Sequence, residues 1–135
     1  MKVVIIDGQG GSLGKALTEK IKDTGCEIYA IGTNSIATAA MLKAGAKYGA
    51  TGENPVVVNC RDADVVIGPV GIMAADSLLG EITARMAAAI ACCKAKKILV
   101  PVSRCKIHIA GMPDLPFGEA VEYAAKAFRD YIAGT

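Results

Sequence analysis

The sequence predicts an α/β fold, a Rossmann-like three-layer sandwich with a five- or six-stranded, mainly parallel sheet. Three observations lead there. Short unbroken apolar runs, "VVII" at the start and "VVIG" midway, suit strands buried on both faces. Stretches with helical spacing of apolar residues separate these runs, so strand and helix alternate. The hydrophobic share is 53% with only 4% aromatic, the mixture of Ala, Val, Ile and Leu expected of a parallel sheet covered by small-residue helices.

The elements follow in order. Val3 to Ile6 reads as the first strand, closed by Asp7 and the glycines behind it. Ser12 to Lys22 carries Leu13, Leu17 and Ile21 on one stripe, with Gly25 beyond as a stop. "CEIYAIG" is the second strand, and Asn34 or Ser35 caps a helix running through Lys43 until Gly45 ends it. A short third strand is expected from Lys47 to Ala50. In "ENPVVVNCRDA" the valines favour a strand, but Asn54 as cap and Pro55 in the first turn decide for a short helix. "ADVVIGPVG" and "KKILVPV" are further buried strands, with a helix from about Asp76 to Ala95 between them. "CKIHIAGMPDLP" offers one more strand before a loop broken by Pro113 and Pro116. The last helix places Phe117, Val121, Ala124, Phe128 and Ile132 on one face. The whole, residues 1–135, reads as a single domain.

Charge narrows the partners. The formal net charge is +2, from 15 basic and 13 acidic residues without a long run of one sign, so a nucleic-acid partner is not expected. The chain shows neither a signal-peptide core nor an uninterrupted apolar stretch of about 18 residues, and the expectation is a soluble, cytoplasmic protein without a membrane partner. Five cysteines, an odd number without C-x-x-C spacing, are expected to be buried free thiols. Cys105 and His108 make C-x-x-H, but nothing ties them to further ligands, and no metal is expected. Ser103, Arg104 and His108, after the last main strand, are placed to contact an anionic group.

In a parallel sheet the ligand crevice lies at the C-terminal ends of the strands, where strand order reverses. Asp7 to Ser12, Gly32 to Asn34 and Gly68 to Gly71 are all expected at that rim. Gly8, Gly11 and Gly14 form G-x-x-G-x-x-G between strand and helix. Their expected tasks are a tight exit from the strand, close backbone approach to a ligand, and close packing of helix on sheet. The helix that follows presents free N–H groups and a positive dipole end to an anion. A P-loop is excluded, because Gln9 stands where its first glycine belongs and Ala16 follows Lys15 in place of a hydroxyl residue.

This glycine spacing resembles that of extended short-chain dehydrogenases and other NAD(P)-binding Rossmann domains. The resemblance implies that Gly8, Gln9, Gly10, Gly11, Ser12, Leu13 and Gly14 surround a pyrophosphate. Thr33 and Asn34, after strand two, and Gly68, Pro69 and Gly71, after strand four, complete the expected cofactor-binding set. The acidic residue that would grip a ribose after strand two is absent from "AIGTNS", and Asp7 adds a negative charge beside the loop. Tyr123 and Lys126 stand one residue closer than a dehydrogenase Tyr-x-x-x-Lys pair. Over nearly its whole length, in "IDGQGGSLGK", "DADVVIGPVGI" and "ILVPVSRCKIHIAG", the chain also resembles a family of short bacterial proteins known only as a domain of unknown function.

The expected function is binding of a nucleotide or dinucleotide, NAD(P) or another, through its phosphate, as a sensor or accessory subunit. Two alternatives stay open: a small NAD(P)-dependent oxidoreductase with its active site at an oligomer interface, and a structural or partner-binding protein without a ligand. A homo-oligomer is expected because "LLGEITARMAAAIACCKA" has little polar surface beyond a Glu81–Arg85 pair one turn apart.

Overall fold

β-branched side chains at consecutive positions favour extended backbone, and a strand sends successive side chains to opposite faces. In β1 (Lys2–Asp7) Val3 and Ile5 enter one apolar cluster and Val4 and Ile6 the other, all four fully buried. A strand with two dry faces needs a helical layer on each side. The computed structural model, which describes residues 1–102 and 106–134, has that arrangement.

The order is β1, α1 (Ser12–Ile21), β2 (Glu27–Gly32), α2 (Ser35–Ala44), β3 (Tyr48–Thr51), α3 (Glu53–Cys60), β4 (Val65–Pro69), α4 (Ala84–Cys92), β5 (Lys96–Val100) and α5 (Phe117–Ala133). The sheet runs β3-β2-β1-β4-β5 and every pair is parallel. Helices α1, α2 and α5 cover one face through Leu13, Leu17, Met41, Val121 and Phe128. Helices α3 and α4 cover the other through Val56, Cys60, Met86 and Ile90. This is the predicted Rossmann-like sandwich, with five parallel strands among the described residues. No helix there is long and apolar enough to cross a membrane.

Register sets the site. Asp7 pairs with Gly32, and Ile5 with Ile67. The ends of β1, β2 and β4 therefore reach one rim. Strand order reverses on leaving β1, with β2 on one side and β4 on the other.

Several expectations are corrected. The helix expected from Asp76 to Ala95 is only Ala84–Cys92. Thr83 starts it by accepting the Met86 N–H on its hydroxyl, and the residues before it turn through left-handed conformations at Asp76, Leu78, Leu79 and Gly80. Ile107 to Ile109 form no strand, and both isoleucines are 39% exposed. Phe117 does not join the α5 core stripe: it opens the helix at the rim and stays 48% exposed, while Val121, Ala124 and Phe128 are buried. Cys60 is the one buried thiol among the described cysteines; Cys26 and Cys93 are partly exposed and Cys92 is exposed. Burial pushes the Cys60 thiol up to about 12, so it stays protonated.

The contrast between the two phenylalanines is measurable. Phe128→Ala, which empties a fully buried site, is expected to cost about 3–5 kcal/mol in urea unfolding. Phe117→Ala is expected to stay within about 1 kcal/mol of wild type.

Candidate functional site

The glycine loop is shaped by the carboxylate that precedes it. Asp7 is 5% exposed, and a buried carboxylate requires hydrogen-bond donors. It accepts the Gly8 N–H on Oδ1 at 2.8 Å and the Gly14 N–H on Oδ2 at 2.6 Å. The Gly11 N–H closes the turn onto the Gly8 carbonyl at 2.9 Å. Asp7 therefore ties the strand end to the first turn of α1, a structural task beyond the negative charge the sequence suggested.

At three glycines of the motif a side chain would collide with the protein itself. A Cβ on Gly8 would overlap the Thr33 hydroxyl and lie 2.6 Å from Glu81 Oε1. On Gly11, whose φ of 75° already favours glycine, it would lie 2.7 Å from Ala37 Cα on α2. On Gly14 it would meet Met41 Sδ at 2.5 Å and Asp7 Cβ at 2.9 Å. Gly11 thus lies close against a neighbouring helix, and it also borders a cavity. Gly68 is enclosed in the same way, because a Cβ there would overlap the Ile6 carbonyl oxygen and come within 2.9 Å of Ile72 Cδ1. Gly71 is buried, and its carbonyl accepts the Ser77 hydroxyl. Gly10 alone of the loop glycines has open space where a side chain would project.

Glu81 was placed by the sequence in a helix beside Arg85. It sits instead over the glycine loop. Its Oε1 accepts the Gln9 N–H at 2.8 Å, the Asn34 side-chain amide at 2.9 Å and the Thr33 hydroxyl. Arg85 turns to Glu53, at 3.6 Å. Asn34 also caps α2 by accepting the Ala37 N–H at 2.9 Å, so its amide is held facing Glu81. Desolvation raises the Glu81 pKa, but the three donors outweigh it and hold the carboxyl below the usual glutamate value. One sequence signal pointed here: "GTN" after β2 supplies donors without an acid of its own.

On the β1–β4 side a cavity of about 240 Å³ opens. Its floor is the loop from Asp7 to Leu13, and its walls include Pro69, Leu78, Pro101, Leu115 and Phe117. Ser12 and Leu13 are the first two residues of α1, so no preceding helical turn supplies acceptors for their N–H groups. Thr33 and Asn34 lie outside this lining, behind the Glu81 contacts. The expected set therefore divides: Gly8, Gln9, Gly10, Gly11, Ser12, Leu13 and Pro69 line the cavity, whereas Gly14, Thr33, Asn34, Gly68 and Gly71 do not.

The remaining candidates are dispersed. His108 is exposed in a loop. Ser103, Arg104 and Cys105 lie outside the described residues. Tyr123 is 63% exposed on α5, and Lys126 bonds Asp130 at 2.6 Å. Among the described residues no group of three or more His, Cys, Asp or Glu side chains could hold a metal. Helix α4 directs Met86, Ala87 and Ile90 into the core beneath it, while Ala84, Ala88, Ala91 and Cys92 of the same helix stay exposed.

Sequence comparison agrees with the near end-to-end likeness. The family model described as "Domain of unknown function (DUF3842)" matches residues 2–133. The chain belongs to this family. The DUF3842 match spans the glycine loop, the Glu81 segment and all five strands. No protein of curated function matches the chain.

Two outcomes follow from this geometry. Gly11→Ala is expected to lower stability by more than about 1 kcal/mol, since it adds a clash to an unfavourable backbone conformation; chemical denaturation measures it. Glu81 has a lowered folded pKa, so its contribution is complete above its unfolded value and is lost as pH falls through the folded one. The stability difference between wild type and Glu81→Gln is therefore expected to hold at neutral pH and shrink below about pH 4.3, as read from thermal midpoints across the acid range.

Proposed function

We propose that the chain binds a small phosphorylated ligand, a nucleotide phosphate in the first instance, in the cavity between β1 and β4. One observation carries this reading: the opening of that cavity onto the first-turn amides of α1 at the point where strand order reverses. Such a helix end favours an anion through its dipole and its unbonded N–H groups. Ser12 and Leu13 would supply those donors. Gly10, with no side chain and open space around it, would leave room beside them. Pro69, Leu115 and Phe117 would pack against the uncharged body of the ligand.

The size of the cavity guides the choice of ligand. Pockets for drug-sized molecules hold about 300–1,000 Å³, and this one holds about 240 Å³. With Glu81 and Leu78 over Gly8, the reading favours a ligand no larger than a mononucleotide, or one part of a dinucleotide. Its role would be that of a sensor or accessory binding subunit.

Ser12→Glu separates binding from folding. Ser12 is exposed at the first helical position, where a carboxylate favours the helix dipole by about 0.3–1 kcal/mol. The variant is expected to keep or raise the wild-type melting temperature. Its affinity for AMP and inorganic phosphate is expected to fall at least about tenfold in calorimetric titration, through charge repulsion at the amides. Equal affinity of the two proteins would reject the site.

A further inference from the structure

Three donors from two different parts of the chain converge on a single oxygen atom. The Gln9 N–H, the Thr33 hydroxyl and the Asn34 side-chain amide all point at Glu81 Oε1. Gln9 belongs to the glycine loop, Thr33 and Asn34 to the end of β2, while Glu81 arrives from 47 positions beyond Asn34. The backbone that carries these donors is held by bonds that do not involve Glu81. Asn34 is fixed as the cap of α2 and also donates to the Gln9 carbonyl at 2.9 Å, and the Thr33 N–H is fixed on the Asp7 carbonyl at 2.9 Å. Such a preset ring of donors matches one oxygen of a carboxylate or phosphate.

The segment that brings Glu81 is made differently from the rest of the fold. Residues 74–83 contain no helix or strand. Asp76, Leu78 and Leu79 adopt left-handed backbone conformations that L-residues disfavour, and Leu79 is 96% exposed at the tip. Ile82, fully buried, and the Thr83 cap of α4 anchor its far end. Just before these anchors, Glu81 ties the segment by hydrogen bonds to the glycine loop and the end of β2, with Leu78 packed beside Gly8.

We propose that Gln9, Thr33 and Asn34 form a second oxyanion-binding subsite on the β1–β2 side of the crevice. Glu81 occupies it as an internal stand-in, and a carboxylate or phosphate oxygen of an incoming ligand displaces Glu81 and lifts the 74–83 segment. The ligand class is an organic molecule bearing a second anionic group besides the one held at Ser12 and Leu13. The proposal rests on the functional reading above only for that first group; its donors are separate.

The test uses the Ser12→Glu background, in which the helix site is disabled, and adds Glu81→Ala. Hydrogen exchange is followed at the Gln9 amide with formate, with inorganic phosphate and with neither. Without an added anion, losing the carboxylate is expected to speed exchange of that amide about tenfold or more. Formate, phosphate or both should then restore protection in a saturable way, and the anion that does so more strongly identifies the ligand's second group. The single Ser12→Glu chain, with Glu81 in place, should respond only at much higher anion concentration, because the anion must first displace the carboxylate. Unchanged exchange across all anion concentrations would overturn the second subsite even if Ser12→Glu had confirmed the first. Should Glu81→Ala fail to fold, Glu81→Met, which fills similar space without an acceptor oxygen, is measured in the same way. Faster Gln9 exchange that phosphate or formate slows supports the subsite, and exchange indifferent to both overturns it.

Discussion

The buried carboxylate of Asp7 organises everything at the rim. It stands at the end of the central strand, with dry layers on both sides, and both of its oxygens accept main-chain N–H groups seven and one positions ahead. Without those acceptors the Gly8 and Gly14 amides would be buried and unbonded, at about 1–3 kcal/mol each. With them, the chain leaves β1, turns on itself and enters α1 at a fixed angle, and α1 can press its glycine face onto α2. The loop's shape is thus an internal matter, settled before any ligand arrives.

That conclusion changes what the glycines mean. A glycine motif between strand and helix invites the thought of a phosphate against bare backbone, but Gly8, Gly11, Gly14 and Gly68 each face a neighbouring part of the same chain. The donors left over are fewer and lie elsewhere, at the opening of α1. Two carboxylates therefore partition the loop: Asp7 takes Gly8 and Gly14, and Glu81 takes Gln9. What remains is a short row of amides at a cavity walled in part by Pro69, Leu115 and Phe117.

Much of the architecture was legible in the sequence because it depends on local pattern. The doubly apolar strands, the stripe of Leu13, Leu17 and Ile21, and the Asn34 cap each declare themselves within a few residues. The short helix at "ENPVVVNC" was also legible, from its proline in the first turn, although Gly52 and not Asn54 stands at its cap. The stretch from Asp76 to Thr83 was not, since its apolar content suits a helix and its left-handed turns depend on where Ile82 and Glu81 find partners. Glu81 itself was invisible as a site residue. Its role arises from contacts 47 and 72 positions away in sequence, which no spacing rule encodes.

The central claim, that the chain's own carboxylates hold the Gly8, Gln9 and Gly14 amides while those of Ser12 and Leu13 are left for an anion, can be tested amide by amide. Heteronuclear NMR of the nitrogen-15-labelled protein during titration with inorganic phosphate would do so. The account predicts saturable shifts centred on Ser12 and Leu13, with Gly8 and Gly14 nearly still. Shifts centred on Gly8 and Gly14, or no saturable shift in the loop, would contradict it.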